Sequence, residues 1–139
     1  MPATRRNTKR ESSIEHQAMF TISVETHFKA SHQIRLRNGS KESSHFHDWV
    51  VAVDVGSDML NKMDVVMNFQ KLKQMLDSIV AEFDNASLND VRYFQQNNPS
   101  AENVAKYIFE KLESKLPVSV RLECVKVIEE PGCSAKFSK

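Results

Sequence analysis

The chain has 139 residues, enough for one domain with a continuous core, and its 40% hydrophobic and 27% charged residues are an ordinary globular mix. No apolar run approaches the ~20 residues of a membrane span, the start lacks the hydrophobic stretch of a secretory signal, and Cys124 and Cys133 form no CxxC pair, so the expected setting is reducing and cytoplasmic. The formal net charge of +1 is uneven: Arg5, Arg6, Lys9 and Arg10 sit in the opening segment, and the mildly acidic remainder argues against a nucleic-acid-binding domain.

Residues 1–17, basic and poor in apolar side chains, read as a disordered tail, and residues 18–139 as the folded domain. The first strand covers 19–28, where Phe20, Ile22, Val24 and Phe28 alternate with Thr21, Ser23, Glu25 and His27. Residues 33–44 are polar and contain Asn38-Gly39-Ser40, which predicts a loop with a turn. A second strand follows over 45–56, and two neighbouring strands joined by a loop most simply pair antiparallel. Over 69–83 the period becomes helical, with Phe69, Leu72, Met75, Leu76, Ile79, Val80 and Phe83 on one stripe behind Asn68 as N-cap. Residues 84–99 are polar and turn-rich. A second helix starts near Ser100, with Glu102 suiting the dipole of its first turn, and ends at Pro117. Residues 118–128 and 133–138 complete the pattern as strands around Pro131-Gly132. The order β-β-α-α-β-β predicts an α+β fold, an antiparallel four-stranded sheet with two helices on one face. Its two open edges invite homo-oligomers built by sheet extension.

The most informative stretch is His45-Phe46-His47. On a strand, side chains at i and i+2 leave the same face. His45 and His47 share the parity of Trp49, Val51, Val53 and Val55, so the histidine face runs into an apolar face. If the first strand persists to residue 32 without a bulge, His32 joins the core face beside them. Three histidines with an open fourth position are a catalytic zinc arrangement. The His-x-His pair alone also fits two incidental strand-end imidazoles, and His32 is what tilts the balance toward metal. His27 falls on the polar face and His16 in the tail, while Asp48 points away from the histidine face.

These segments together resemble the 6-pyruvoyl-tetrahydropterin synthase and 6-carboxy-tetrahydropterin synthase family. Phe28-Lys29-Ala30-Ser31-His32 is similar to its F-x-A-x-H, and His45-Phe46-His47-Asp48-Trp49 to its H-G-H-N-Y. Met63 to Leu72 resembles G-M-V-x-D-F-x-x-L, and Phe83 to Asp90 resembles L-D-H-x-x-L-N-D. Asn98 to Asn103 resembles N-P-T-x-E-N, and Glu129 to Phe137 resembles E-T-P-x-x-x-A-x-Y. The resemblance implies a tunnelling fold that trimerises, commonly as a dimer of trimers. It also implies Zn2+ on His32, His45 and His47, and a small-molecule dihydropterin substrate such as 7,8-dihydroneopterin triphosphate. Glu129 matches the pterin anchor, a role that suits a carboxylate facing adjacent N–H and NH2 donors. Without the family, Glu129 reads as a solvated charge at a strand end, and Glu130 competes for the anchor role in a slipped alignment.

The chain departs from the pattern where the chemistry is expected. Ser40 to Ser44 contain no cysteine, and Glu42 stands three residues before His45. This is similar to a subgroup with E-x-x-H-G-H, in which a glutamate replaces the cysteine and the product is a hydroxymethyl-dihydropterin. Glu42 is therefore the candidate base, with a plain loop charge as the alternative. The Asp-His pair of the family is Asp84-Asn85 here; asparagine cannot shuttle a proton, which leaves Asp84 for hydrogen bonding, catalysis or capping of a turn. Phe46 replaces the glycine between the histidines, and Arg35, Arg37 and Lys41 are candidates for a phosphate or for simple solvated charges. The leading expectation is a lyase acting on a dihydropterin side chain. The alternative is a pterin- or metal-binding homologue that has lost the proton relay.

Overall fold

Two long strands form the centre of the molecule, β1 (Phe20–His32) and β2 (His45–Ser57), paired antiparallel along all thirteen positions from Phe20 opposite Ser57 to His32 opposite His45. The computed structural model describes residues 19–139, so the tail expected over 1–17 lies outside the described residues. The first strand runs four residues past the expected end, and no bulge interrupts it, so its even-numbered side chains stay on one face as far as His32. Val24, Phe28, Ala30 and His32 are buried, while Glu25, His27 and Lys29 between them are exposed. On β2, Trp49, Val51, Val53 and Val55 are fully buried on the same face.

Helix α1 spans Phe69–Val80 and is capped by the side chain of Asn68, which accepts from the Lys71 amide at 3.0 Å. It is shorter than the expected 69–83: a run of turns follows Val80, yet Phe83 is still fully buried. The polar, turn-rich segment 84–99 also holds regular structure. Strand β3 (Ala86–Ser87) pairs parallel with Ala30 and Ser31, a 3-10 turn covers Leu88–Asp90, and a short helix α2 covers Arg92–Gln96. Asn85 leads into β3 with φ 60°, a left-handed conformation that asparagine tolerates better than most residues. Its amide donates to the Lys29 carbonyl at 2.6 Å.

Helix α3 (Ala101–Glu113) begins at Ser100, whose hydroxyl accepts from the Asn103 amide, as the N-cap chemistry predicts. Strand β4 (Arg121–Glu130) pairs antiparallel with β2, and β5 (Cys133–Phe137) pairs with β4. Pro131 and Gly132 connect them as the two central residues of a turn, with φ 88° at Gly132. Proline then glycine with positive φ is the type II pattern. The sheet therefore has five strands in the order β3-β1-β2-β4-β5, one more than expected, with a single parallel pair at one end. The α+β class and the placement of the helices against the histidine face stand. Among the described residues no helix is long and apolar enough to cross a membrane.

The core lies between the sheet and helices α1 and α3. Phe28 stacks on Trp49 with ring centroids 5.6 Å apart and planes 7° from parallel, and it meets Phe83 at 5.2 Å. The indole N–H of Trp49 donates to the Ala30 carbonyl at 3.1 Å, so the one polar atom of this large side chain is satisfied. Tyr107 packs against Phe83, Tyr93 and Phe94 and donates to Glu82 at 2.8 Å. Burial first, and then the Glu82 carboxylate, pushes its phenol up to about 12.

Phe28→Ala empties the centre of this aromatic stack. It is expected to cost about 3–5 kcal/mol in urea unfolding followed by Trp49 emission, whereas Val118→Ala, at a fully exposed position, should change stability by less than about 0.5 kcal/mol.

Candidate metal centre

The β1–β2 register places His32 directly opposite His45 and Ala30 opposite His47. All three imidazoles therefore leave the sheet on the helix-covered face, at the end where the two strands open into the 33–44 loop. Their ring centroids lie 5.5 Å apart for His32 and His47, 6.0 Å for His45 and His47, and 6.4 Å for His32 and His45. Burial grades across the group. The His32 side chain is 4% exposed, His47 is half-buried, and His45 is exposed at the rim. Trp49 forms the floor, edge-on to His32 at 4.9 Å and to His47 at 5.9 Å.

His32 is held by a bond that fixes its tautomer. Its Nδ1 lies 2.7 Å from the Pro99 carbonyl oxygen, which can only accept, so Nδ1 carries a proton and donates. In the neutral ring Nε2 then keeps the lone pair. A backbone carbonyl behind one imidazole nitrogen and a free lone pair on the other is how metal-ligating histidines are commonly oriented.

The fourth member of the group comes from β4. The ladder pairs Val51 with Val127, so odd-numbered residues of β4 share the histidine face, and Glu129 continues Val125 and Val127. Its Oε1 lies 3.2 Å from His32 Nε2, and its side chain is 25% exposed. Ligand atoms of His32, His47 and Glu129 all lie within 4.8 Å of one another. His45, expected as the third ligand, does not join this tight set: its ring lies nearly parallel to that of His47, at 15°. The parity that identified His32 on β1 also carries Glu129 on β4. The resemblance implies Glu129 at the site, whereas strand parity alone does not reach it, because the predicted strand ends at residue 128 and β4 runs on to Glu130.

The cleft over these residues has a volume of about 780 Å³. Glu42 lines it, as do Glu102, Glu130 and Lys136. Glu42 is brought there by a small hairpin-like loop, in which its amide donates to the Ile34 carbonyl at 3.0 Å, Leu36 donates to Ser40, and Gly39, at φ 88°, closes the turn. Arg35, Arg37 and Lys41 do not line the cleft, and the Arg35 guanidinium is tied to the Phe94 carbonyl at 2.9 Å. Asp84 is also elsewhere. It accepts from the Lys29 amide at 3.0 Å and lines a separate depression with His27, Lys29, Asp48 and Asn85. Within one chain Asp84 does not line the cleft that holds the histidines.

Two asparagines outside the predicted site residues brace the segment that leads from β1 past the cleft. Asn89 bonds both the amide and the carbonyl of Gln33, at 2.8 and 2.9 Å, and Asn98 does the same for Arg35, at 2.8 and 3.0 Å. Each side-chain amide imitates a neighbouring strand for the segment that leaves β1. The run from Asn98 to Asn103 then acquires a physical account. Asn98 clamps Arg35, Pro99 fixes His32, Ser100 caps α3, Glu102 faces the cleft, and Asn103 donates to the Asn98 carbonyl at 2.9 Å.

The chain is similar to known proteins over most of its length. The family model described as 6-pyruvoyl tetrahydropterin synthase matches residues 21–139. A dihydroneopterin monophosphate aldolase of Pyrococcus furiosus is 33% identical over 96 residues, covering 69% of this chain and 77% of its own. The human 6-pyruvoyl tetrahydrobiopterin synthase is 34% identical over 122 residues, covering 78% and 83%. Among solved structures, the Caenorhabditis elegans 6-pyruvoyl tetrahydropterin synthase superposes with a TM-score of 0.78 at 24% identity, covering 88% of this chain and 97% of its own, and so shares the fold.

Asn98→Ala removes both bonds to Arg35. It is expected to cost about 1–3 kcal/mol and to speed amide hydrogen exchange over residues 33–42, while the amides of Val51 and Val53 at the centre of the sheet stay protected.

Proposed function

The chain belongs to the 6-pyruvoyl tetrahydropterin synthase family, and on that premise we propose that it is a zinc-dependent lyase acting on the side chain of a dihydropterin. The observation that carries this reading is the convergence of His32, His47 and Glu129 at the floor of one cleft, with Glu42 on its wall and His45 at its rim. The donor set fits zinc: imidazole nitrogens of which one is already oriented by a carbonyl, together with a carboxylate. His32, His45 and His47 would hold the ion during turnover. Zinc bound there would polarise the side-chain oxygens of the substrate and acidify the neighbouring C–H and O–H groups.

The remaining work falls to the chain's own side chains. Glu129 offers two carboxylate oxygens, which match the adjacent N–H and NH2 donors of a pterin ring and orient the side chain toward the histidines. Glu42 takes up a proton from that side chain. Its loop holds it against the cleft, with the Ile34 amide 3.4 Å from its Oε1. Within one chain Asp84 lines a separate depression, so Glu42 is the acid-base group that a single copy offers to this cleft. The working form is a homo-oligomer, a trimer or a dimer of trimers. Among the described residues, the outer edge of β1 over Phe20–Lys29, which β3 leaves unpaired, and the outer edge of β5 are the surfaces through which copies would extend one another's sheets.

Incubation of the zinc-loaded protein with 7,8-dihydroneopterin triphosphate, with products identified by mass, is expected to yield a shortened or rearranged pterin whose mass names the bond cleaved. Tight binding without turnover would instead select a non-catalytic pterin-binding role. Glu42→Ala should lower kcat by about 10²–10⁴ while retaining zinc at the level of the unaltered protein, and full turnover by this variant would remove Glu42 from the base role.

A further inference from the structure

The depression beside Asp84 leads further. His27 lines it together with Lys29, Asp48, Asp84 and Asn85, around a volume of about 590 Å³. Its charged and titratable groups come from three elements: His27 and Lys29 from β1, Asp48 from β2, and Asp84 from the segment before β3. Lys29 Nζ lies 3.9 Å from Asp48, and the Lys29 amide holds the Asp84 carboxylate at 3.0 Å. His27 is exposed. Of these side chains only an imidazole readily gives up and takes back a proton at neutral pH. Asn85 stands where the resemblance implies a histidine, and asparagine cannot do this work.

Cross-strand register ties the depression to the cleft. His27 stands opposite Val50, Val50 opposite Ile128, and Ile128 opposite Ser134. Ser134 lines the cleft. One line across the sheet thus joins His27, near the outer edge of β1, to Ser134, at the outer edge of β5. The pairings β1–β2, β2–β4 and β4–β5 are all antiparallel. A second copy that continues this alternation sets its β1 antiparallel to β5, so that the end of one strand meets the start of the other. The depression of one copy then abuts the cleft of the next.

We infer that His27 is the second acid-base group of the reaction, serving the cleft of a neighbouring copy in place of the histidine that Asn85 replaces. The inference rests on the lyase reading above and adds to it a group from another copy. Glu42 takes a proton from the substrate side chain in its own cleft. The electron pair left behind collects a proton from the imidazolium of the neighbouring copy's His27, which regains one from solvent on its exposed face. Protons and charge balance once Glu42 has released its own proton to water.

The test uses the zinc-loaded full chain and 7,8-dihydroneopterin triphosphate. His27→Ala is expected to lower kcat by about 10²–10⁴ with zinc content and thermal midpoint unchanged, and His27→Gln, which keeps a polar side chain, controls for folding. Added imidazole should restore turnover to His27→Ala, and so should Asn85→His placed in the same chain, by at least about tenfold each. Mixing tests the boundary between copies. When Glu42→Ala and His27→Ala chains are co-expressed, about one boundary in four joins an intact Glu42 to an intact His27 from the next copy, so the mixture should recover about a quarter of the unaltered turnover. Full turnover by His27→Ala overturns the inference and leaves the lyase reading intact. A loss that neither imidazole, Asn85→His nor mixing recovers marks a structural role for His27 and overturns it too. Absence of turnover in the unaltered protein overturns both.

Discussion

The uninterrupted ladder between β1 and β2 is the constraint on which the rest depends. Because side chains alternate faces at every residue, a slip of one position between the two strands would put Phe28 and His32 on the opposite side of the sheet from Trp49, His45 and His47. Core and histidine cluster are thus specified by one and the same register. The apolar half of that face, over Val24, Phe28, Val51, Val53 and Val55, contributes hydrophobic burial of the order of 1.5–3 kcal/mol per large side chain. That burial holds the polar half in position, where burying His32 without partners would be unfavourable.

His32 is the point at which the sheet and the helical layer meet. It stands on the last residue of β1, rests edge-on against Trp49, and is bonded to the carbonyl immediately before the N-cap of α3. A helix start and a strand end are thereby locked to one imidazole. The energetic logic is that of any buried polar group: each nitrogen must have a partner, and the fold supplies the Nδ1 partner from backbone, which no substitution at residue 99 other than one that moves the chain can remove. This leaves Nε2 as the adjustable half of the residue, facing the cleft.

Much of this was legible because strand parity is a local signal. Phe20 to Phe28 show which face β1 buries, and extending that parity locates His32 on the same face from sequence alone. Parity also placed His45 and His47 on that face, but it reports a face and not a depth, so it could not distinguish a floor residue from a rim residue. The stretch from Asp84 to Asn97 was opaque for a different reason. Strand β3 has two residues and exists only because Ala30 and Ser31 present a free edge to it, and α2 is too short for a helical period to accumulate. Glu129 fell between the cases. Its parity was readable, but its nearness to His32 depends on how β2 and β4 are aligned, with a shift at Asp54 and Val55, and nothing in the strand itself records that.

The paired asparagines carry a consequence for how such a protein changes over time. The 33–44 segment is not woven into the sheet ladder; it is fastened by Asn89 and Asn98 and closed on itself by an isolated bridge between Arg35 and Lys41. Everything between those fasteners and His45 can be rewritten without disturbing either the histidines or the core. Glu42, which lines the cleft from this loop, therefore sits on a part of the scaffold separate from the ladder that sets the histidine face.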